Sequence, residues 1–194
     1  HCRRSCVEKA FGNGGCSMIH SVSLSELIEP LNATLHNGLV TVDGVSTDTR
    51  SIDKGDLFVA LKGDRFDAHD FLSDAIDAGA ASLLVDRLIE GVSVPQLQVE
   101  DTTIALGRIA KLNRVAFHKP LIAMTGSCGK TTVKEMLSTV LSGAGHVHVT
   151  QGNLNNHIGV PLTLLSLDAE ADYAVIEMGA SGLGEIDYLA GIAE

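Results

Sequence analysis

Residues Leu121-Ile122-Ala123-Met124-Thr125-Gly126-Ser127-Cys128-Gly129-Lys130-Thr131-Thr132 constrain this chain more than any other stretch. Four apolar residues run into Thr-Gly, then Gly-Lys-Thr-Thr, then a helical pattern from Val133. The pattern predicts a buried strand, a glycine-rich turn and a helix start. Such a turn aims backbone N–H groups at one point, and the helix N-terminus adds partial positive charge there. A phosphate chain suits that point. Lys130 supplies a mobile cation, and the Thr131 hydroxyl stands where a phosphate loop holds magnesium. Gly126 and Gly129 allow a close backbone approach. The general motif G-x-x-x-x-G-K-[ST] asks for glycine at position 124. Met124 is there instead, so the loop is a shortened form, Thr-Gly-x-x-Gly-Lys-Thr-Thr. The competing reading is a glycine-rich turn with no ligand.

At 194 residues the chain is long enough for one large or two small domains. Hydrophobic residues make up 45% and charged residues 20%, which is sufficient for a core. No apolar run is long enough to span a bilayer, so no membrane insertion is expected. A net charge of −10 argues against a nucleic-acid coat, which needs a basic face. It leaves ATP open, because a phosphate site is local and built largely from backbone dipoles. Cys2, Cys6 and Cys16 precede Met18, and only Cys128 lies in the body. A disulfide scaffold is therefore not expected, and a reducing, cytoplasmic compartment fits. Cys2 and Cys6 lack a matching second pair, which disfavours zinc.

Strands and helices alternate along the chain, so the expected class is α/β. Residues 1–17 read as an upstream extension without order. Ser23 and Glu26 have capping-box spacing ahead of a short helix carrying Leu24, Leu27 and Ile28. A hairpin-like region is expected from Gly38 to Gly44, and a strand around residues 56–61. A helix is expected from Asp67 to Ala80, with Phe71, Leu72, Ala75, Ile76 and Ala80 on one face. Strands follow at Ser82–Val85 and from Pro95 to Val99. A helix over residues 102–117 would bury Ile104, Leu106, Ile109, Leu112 and Val115. The turn at His118-Lys119-Pro120 is the expected boundary between a domain of residues 18–117 and a nucleotide-binding portion of residues 118–194. In the latter, a helix from about Thr131 to Leu141, a strand at 147–149, a helix over 161–167 and a strand at 173–176 are expected.

Glu177 lies at the C-terminal end of a predicted strand, the edge where open α/β sheets bind ligands. A carboxylate there can hold magnesium beside phosphates. The alternative is a solvated strand-end glutamate. Asn153, Asn155 and Asn156 form a dense amide cluster, suited equally to a polar ligand or to turn formation. Ser46, Asp48 and Arg50 follow a strand. An arginine with hydroxyls suits a phosphate or nucleotide, but a turn with a surface ion pair explains the same residues. Asp67 and His69 read as a helix start, with ligand contact as the alternative.

Five stretches in order resemble the Mur ligases of peptidoglycan synthesis: Ser46–Arg50, Gly55–Gly63, Asp67–Phe71, Thr125–Glu135 and Gly152–Pro161. The resemblance covers Met18 to Glu194. The shortened phosphate loop is the family's own form, and the Asn-Leu-Asn-Asn run points to the branch that adds a terminal dipeptide. The resemblance implies a first domain holding the UDP part of a donor through Ser46, Asp48 and Arg50. It implies ATP on Gly126, Ser127, Cys128, Gly129, Lys130, Thr131 and Thr132, with Lys130 and Glu177 serving catalysis. Magnesium (Mg2+) would sit on Thr131 and Glu177, and Asn153, Asn155 and Asn156 would lie by the donor's reacting end. The implied reaction joins D-alanyl-D-alanine to UDP-N-acetylmuramoyl-tripeptide through an acyl phosphate, releasing ADP and phosphate, in a monomer. By the same resemblance the chain is expected to be a truncated portion, inactive alone. The rival readings are a nucleotide-sugar or ATP-binding module without ligase activity, another Mur ligase adding a different residue, and an ordinary P-loop phosphotransferase.

Overall fold

The computed structural model describes residues 15–63 and 66–194. They form two compact units that divide between Arg108 and Ile109.

The first unit is built on a six-stranded sheet. Strand β1 (Cys16–Ser23) leads into helix α1 (Leu24–Leu31), whose start is fixed by the expected capping box between Ser23 and Glu26. The Ser23 N–H donates to Glu26 Oε2 at 2.8 Å. Asn32 ends the helix in the left-handed conformation, a role asparagine tolerates. Strands β2 (Thr34–His36), β3 (Thr41–Ser46) and β4 (Leu57–Val59) follow. Next come a 3₁₀ turn (Ala68–Phe71), helix α2 (Leu72–Ala78), and strands β5 (Ser82–Val85) and β6 (Gln96–Gln98). The order is β1-β3-β4-β5-β6-β2. β3, β4, β5 and β6 run parallel, and β1 and β2 close the edges antiparallel.

The central strands are buried on both faces, as parallel strands require. Phe58, Ala60, Leu83 and Val85 pack with Ala68, Leu72, Ala75 and Ala80 in one cluster. Leu57, Val59, Leu84 and Leu97 are fully buried as well. By the two-residue alternation of strands, Leu57, Val59 and Leu84 point to the opposite side from that cluster. Each fully buried leucine contributes about 2 kcal/mol relative to exposure.

Helix α3 (Thr102–Ala116) runs across the division. Asp101 Oδ1 caps it, accepting the N–H groups of Thr103 and Ile104 at 2.7 and 3.0 Å. The second unit continues with β7 (Leu121–Met124), α4 (Lys130–Leu141), β8 (Val147–Val149), α5 (Gly159–Leu165), β9 (Tyr173–Glu177) and α6 (Glu185–Ala193). Its sheet is parallel, in the order β7-β9-β8. β9 is central, and Ala174, Val175 and Ile176 are fully buried.

The structure departs from the sequence reading in several places. Residues 1–14 of the supposed extension lie outside the described residues, but Cys16 and Ser17 belong to β1, opposite Val45 and Gly44. No hairpin forms around Gly38. β2 pairs with β6 and β3 with β1 and β4, because sheet order follows burial and not nearness along the chain. The expected helix over 67–80 is a 3₁₀ turn followed by a shorter α-helix, and Phe71 is exposed. In α3 the buried face is Ala105, Leu106, Ile109, Ala110 and Asn113, while Ile104, Leu112 and Val115 are exposed. β7 is not a buried strand. It lies at the sheet edge and Ile122 is 37% exposed. Helix α6 was not expected. The units divide within α3, ahead of His118–Pro120, because its C-terminal half bonds to later residues: Asn113 Nδ2 donates to Leu164 O at 2.8 Å, and Arg114 Nε to Ala193 O at 3.0 Å.

Candidate functional site

The second unit gathers its polar chemistry at the C-terminal ends of β7 and β9. These strands are in register, with Met124 opposite Glu177, so the loop after β7 and the carboxylate at the end of β9 start from one level of the sheet. Gly129 stands at the N-cap of α4 with φ +75°, a conformation that favours glycine, so the turn into the helix depends on it. The first N–H groups of a helix have no partner within it. Lys130 Nζ folds back onto Gly126 O at 2.7 Å, bracing the loop. Ser127, Cys128, Thr131 and Thr132 are exposed.

Glu177 is not a solvated strand-end residue. It is 3% exposed and held on every side. Thr131 Oγ1 donates to its Oε2 at 3.0 Å, and Asn155 Nδ2 donates to its Oε1 at 2.8 Å. Its own N–H donates to Thr150 Oγ1 at 2.9 Å. The next residues are tied down too: Met178 N–H donates to Met124 O at 2.8 Å and Gly179 N–H to Asn155 O at 2.6 Å. A Cβ on Gly179 would stand 3.1 Å from Asn155 Cγ, so glycine lets the Asn155 amide lie close over this turn.

The asparagine run divides its work. Asn155 reaches Glu177. Asn156 Oδ1 accepts the N–H groups of Ile158 and Gly159 at 3.1 and 2.8 Å, the turn role open to it from sequence. Asn153 is exposed, and its carbonyl accepts the N–H of Asn155. Gly159 is required sterically: a Cβ there would fall 2.5 Å from Leu154 Cα.

Two contributors were missed. Thr150, 1% exposed, receives the Glu177 N–H, and Lys134, 4% exposed, donates from Nζ to Thr150 O at 3.0 Å. Lys134 was visible only as one residue of a longer motif. Its inward orientation is a tertiary fact.

Ser46, Asp48 and Arg50 belong to the first unit. Ser46 is buried, and its hydroxyl donates to Asp48 O at 2.9 Å. Asp48 Oδ1 accepts the backbone N–H of Arg50 and its Nε, both at 2.9 Å. The Arg50 side chain and then its backbone N–H hold the Asp48 carboxyl at about 2. The Arg50 guanidinium is raised by the same partner and stays largely exposed. The geometry is that of a turn with a surface ion pair. Nearby in sequence, His69 is buried, its Nδ1 against Asp67 Oδ1 at 2.5 Å and its Nε2 accepting Asp86 N–H at 3.1 Å. Arg87 Nη2 completes the group by donating to Asp67 Oδ2 at 3.1 Å. Burial works against the Asp67 carboxylate, yet these donors hold it well below the usual range.

Among the described residues no cluster of three or more His, Cys, Asp or Glu side chains could hold a metal, and no helix is long and apolar enough to cross a membrane. Two hard oxygen donors, the Thr131 hydroxyl and the Glu177 carboxylate, nonetheless stand 3.0 Å apart at the phosphate-loop helix.

Residues 41–114 match the model described as Mur ligase family, catalytic domain, and residues 124–194 the Mur ligase middle domain. The UDP-N-acetylmuramoyl-tripeptide–D-alanyl-D-alanine ligase of Escherichia coli K12 is 52% identical over 166 residues, 86% of this chain and 36% of that protein. A crystal structure of MurF from Acinetobacter baumannii superposes with a TM-score of 0.83 at 40% identity, covering 90% of this chain and 39% of its own. MurF ligase from Thermotoga maritima, solved in complex with ADP, gives a TM-score of 0.71 at 35% identity, covering 77% and 35%. This chain therefore spans little more than a third of the length of the relatives it matches. Both family models, met in order on the two units and joined to the architecture of solved MurF ligases, show that the chain belongs to the Mur ligase family.

Proposed function

We propose that these residues form the donor-binding and nucleotide-binding portion of an ATP-dependent amide ligase. It would join D-alanyl-D-alanine to UDP-N-acetylmuramoyl-tripeptide in peptidoglycan synthesis. The observation that carries this reading is the pairing of Thr131 with buried Glu177 beside the glycine-capped start of α4. In the reaction, the terminal phosphoryl group of ATP passes to the donor carboxylate, the amine then attacks that carbon, and ADP and phosphate leave. The chain's part is to align anions that repel one another. The N–H groups from Gly126 to Thr132 cradle the phosphates. Lys130 leaves Gly126 O and turns to the outer phosphates, which charge-assisted bonding favours over a neutral carbonyl. Thr131 and Glu177 would hold magnesium, consistent with its preference for one or two protein oxygens plus substrate phosphates. Such an ion would neutralise charge developing on the phosphoryl oxygens. Asn155 keeps the Glu177 carboxylate oriented. Arg50, held by Asp48 in the turn that Ser46 fixes, serves the UDP part of the donor.

Two separable binding events test this in the 194-residue chain. Calorimetry with ADP and magnesium is expected to show binding that Lys130→Ala weakens by about tenfold or more, the worth of a charge-assisted hydrogen bond, with little change in melting temperature. UDP-N-acetylmuramoyl-tripeptide is expected to bind independently of nucleotide and to be weakened by Arg50→Ala alone. Nucleotide binding that is indifferent to Lys130→Ala overturns the phosphate-loop assignment. Absence of donor binding to the folded chain overturns the role of the first unit.

A further inference from the structure

Helix α4 buries a cation. Its apolar residues Val133, Met136 and Val140 face outward, and the residue of the helix that is buried is Lys134. An inward leucine would fill such a position without the cost of desolvating an ammonium group. The Lys134 stem does run inward, but its Nζ ends on Thr150 O at 3.0 Å, with the exposed Glu135 carboxylate 3.4 Å away. Thr150 follows the last residue of β8 and is gripped at three atoms. Its N–H donates to Val175 O at 3.0 Å, its Oγ1 accepts the Glu177 N–H at 2.9 Å, and its carbonyl takes the lysine. Glu177 thus receives its backbone position from Thr150, and Thr150 receives part of its own from Lys134.

We propose that Lys134 is a positioning residue for Glu177. Through Thr150 it fixes the depth and orientation of the carboxylate that a divalent cation would use beside the nucleotide phosphates. Lys134 lies one turn after Lys130 on the same side of α4, so the helix carries two cations with different duties. Lys130 serves the phosphate loop directly. Lys134 acts at second hand, through Thr150. The proposal rests on the assignment of Glu177 to magnesium given above. Outer partners of a metal ligand are the groups whose loss weakens metal affinity without removing a ligand.

The test is a magnesium titration of the binding of a fluorescent ADP analogue to the 194-residue chain, with melting temperature read alongside. Lys134→Met removes the ammonium and keeps the stem. Thr150→Val keeps the volume and the buried lysine but removes the acceptor for Glu177. Each is expected to raise the magnesium concentration for half-maximal binding by about tenfold or more, the usual effect of losing such a partner. Magnesium-free nucleotide affinity should stay as in the parent chain. The double variant is expected to shift no further than the larger single change, because both act along one path. Should Lys134→Met fail to fold, Thr150→Val decides alone. An unchanged titration in Thr150→Val while Glu177→Gln shifts overturns the positioning role and leaves the metal assignment standing. A titration that is flat in Glu177→Gln as well overturns both.

Discussion

Asp56 sits where a carboxylate is costly. It is 4% exposed, accepts the Asp53 N–H at 2.9 Å, and crowds Gly44, whose Cβ would come 2.5 Å from Oδ1. Burial pushes its carboxyl up to about 6; the Asp53 N–H opposes this, and the nearby charges of Asp53 and Asp43 add to it. The same burial, then Asp56 itself, pushes the Cys16 thiol up to about 12, so this cysteine stays protonated. An acid raised in the folded state binds its proton there more tightly than in the unfolded chain. Stability therefore falls as pH rises from about 4 to about 6 and stays lowered above that. Asp56→Asn is expected to raise the melting temperature at pH 7.5 and to lose that advantage at pH 4. An equal gain at both values would show that charge is not the cause. Asp48 has the opposite sign: its lowered carboxyl, near 2, stabilises at neutral pH and is lost as pH falls from about 4 toward 2. With Arg50 exposed, that contribution is small.

At the level of elements, β8 carries a half-buried histidine. Among the described residues His148 Nε2 has no hydrogen-bond partner, and burial lowers the imidazole from its ordinary value, against the pull of Asp168 and the Thr163 backbone and with a smaller push from His146. A histidine held neutral in the fold charges more readily once unfolded. Its cost to stability is absent above the ordinary histidine range and grows as pH falls through it. The melting temperature of His148→Leu is expected to gain on the parent's as pH falls from 7.5 to 5. A His148→Leu chain with the parent's pH profile would place the acid sensitivity elsewhere. The same strand shows how an element is tied to the site, since its next residue is Thr150. Helix α4 makes the complementary point. Lys134 is its buried residue, while Val133, Met136 and Val140 are exposed.

At the scale of the whole chain, the described residues of the second unit leave apolar surface, with Met136 63% and Val140 74% exposed. Patches of this kind promote association. Met136→Lys with Val140→Lys is expected to raise the concentration at which the chain stays monomeric in light scattering. The change in stability should stay within about 0.5 kcal/mol, as for other exposed helix positions. A large loss of stability would show that these residues are packed. The two units also differ in how their sheets are finished. The first closes its parallel centre with antiparallel strands on both sides, while the second shows β7 and β8 as edges among the described residues.

The sequence by itself determined the α/β class, the capping box at Ser23, the phosphate-loop turn and the strand ending in Glu177. All of these are local, since caps, glycine conformation and apolar runs act over a few residues. The five-motif order also carried the family. What the tertiary structure alone decided is which groups meet across long separations. Thr131 finds Glu177 because β7 and β9 pair in register. Asn155 and Asn156, equivalent as letters, part company because one lies under Gly179 and the other before α5. Lys134 and Thr150 became legible last. A lysine's burial depends on the rotation of its helix and on the strand packed beneath it, and no pattern of neighbours in the chain encodes that contact.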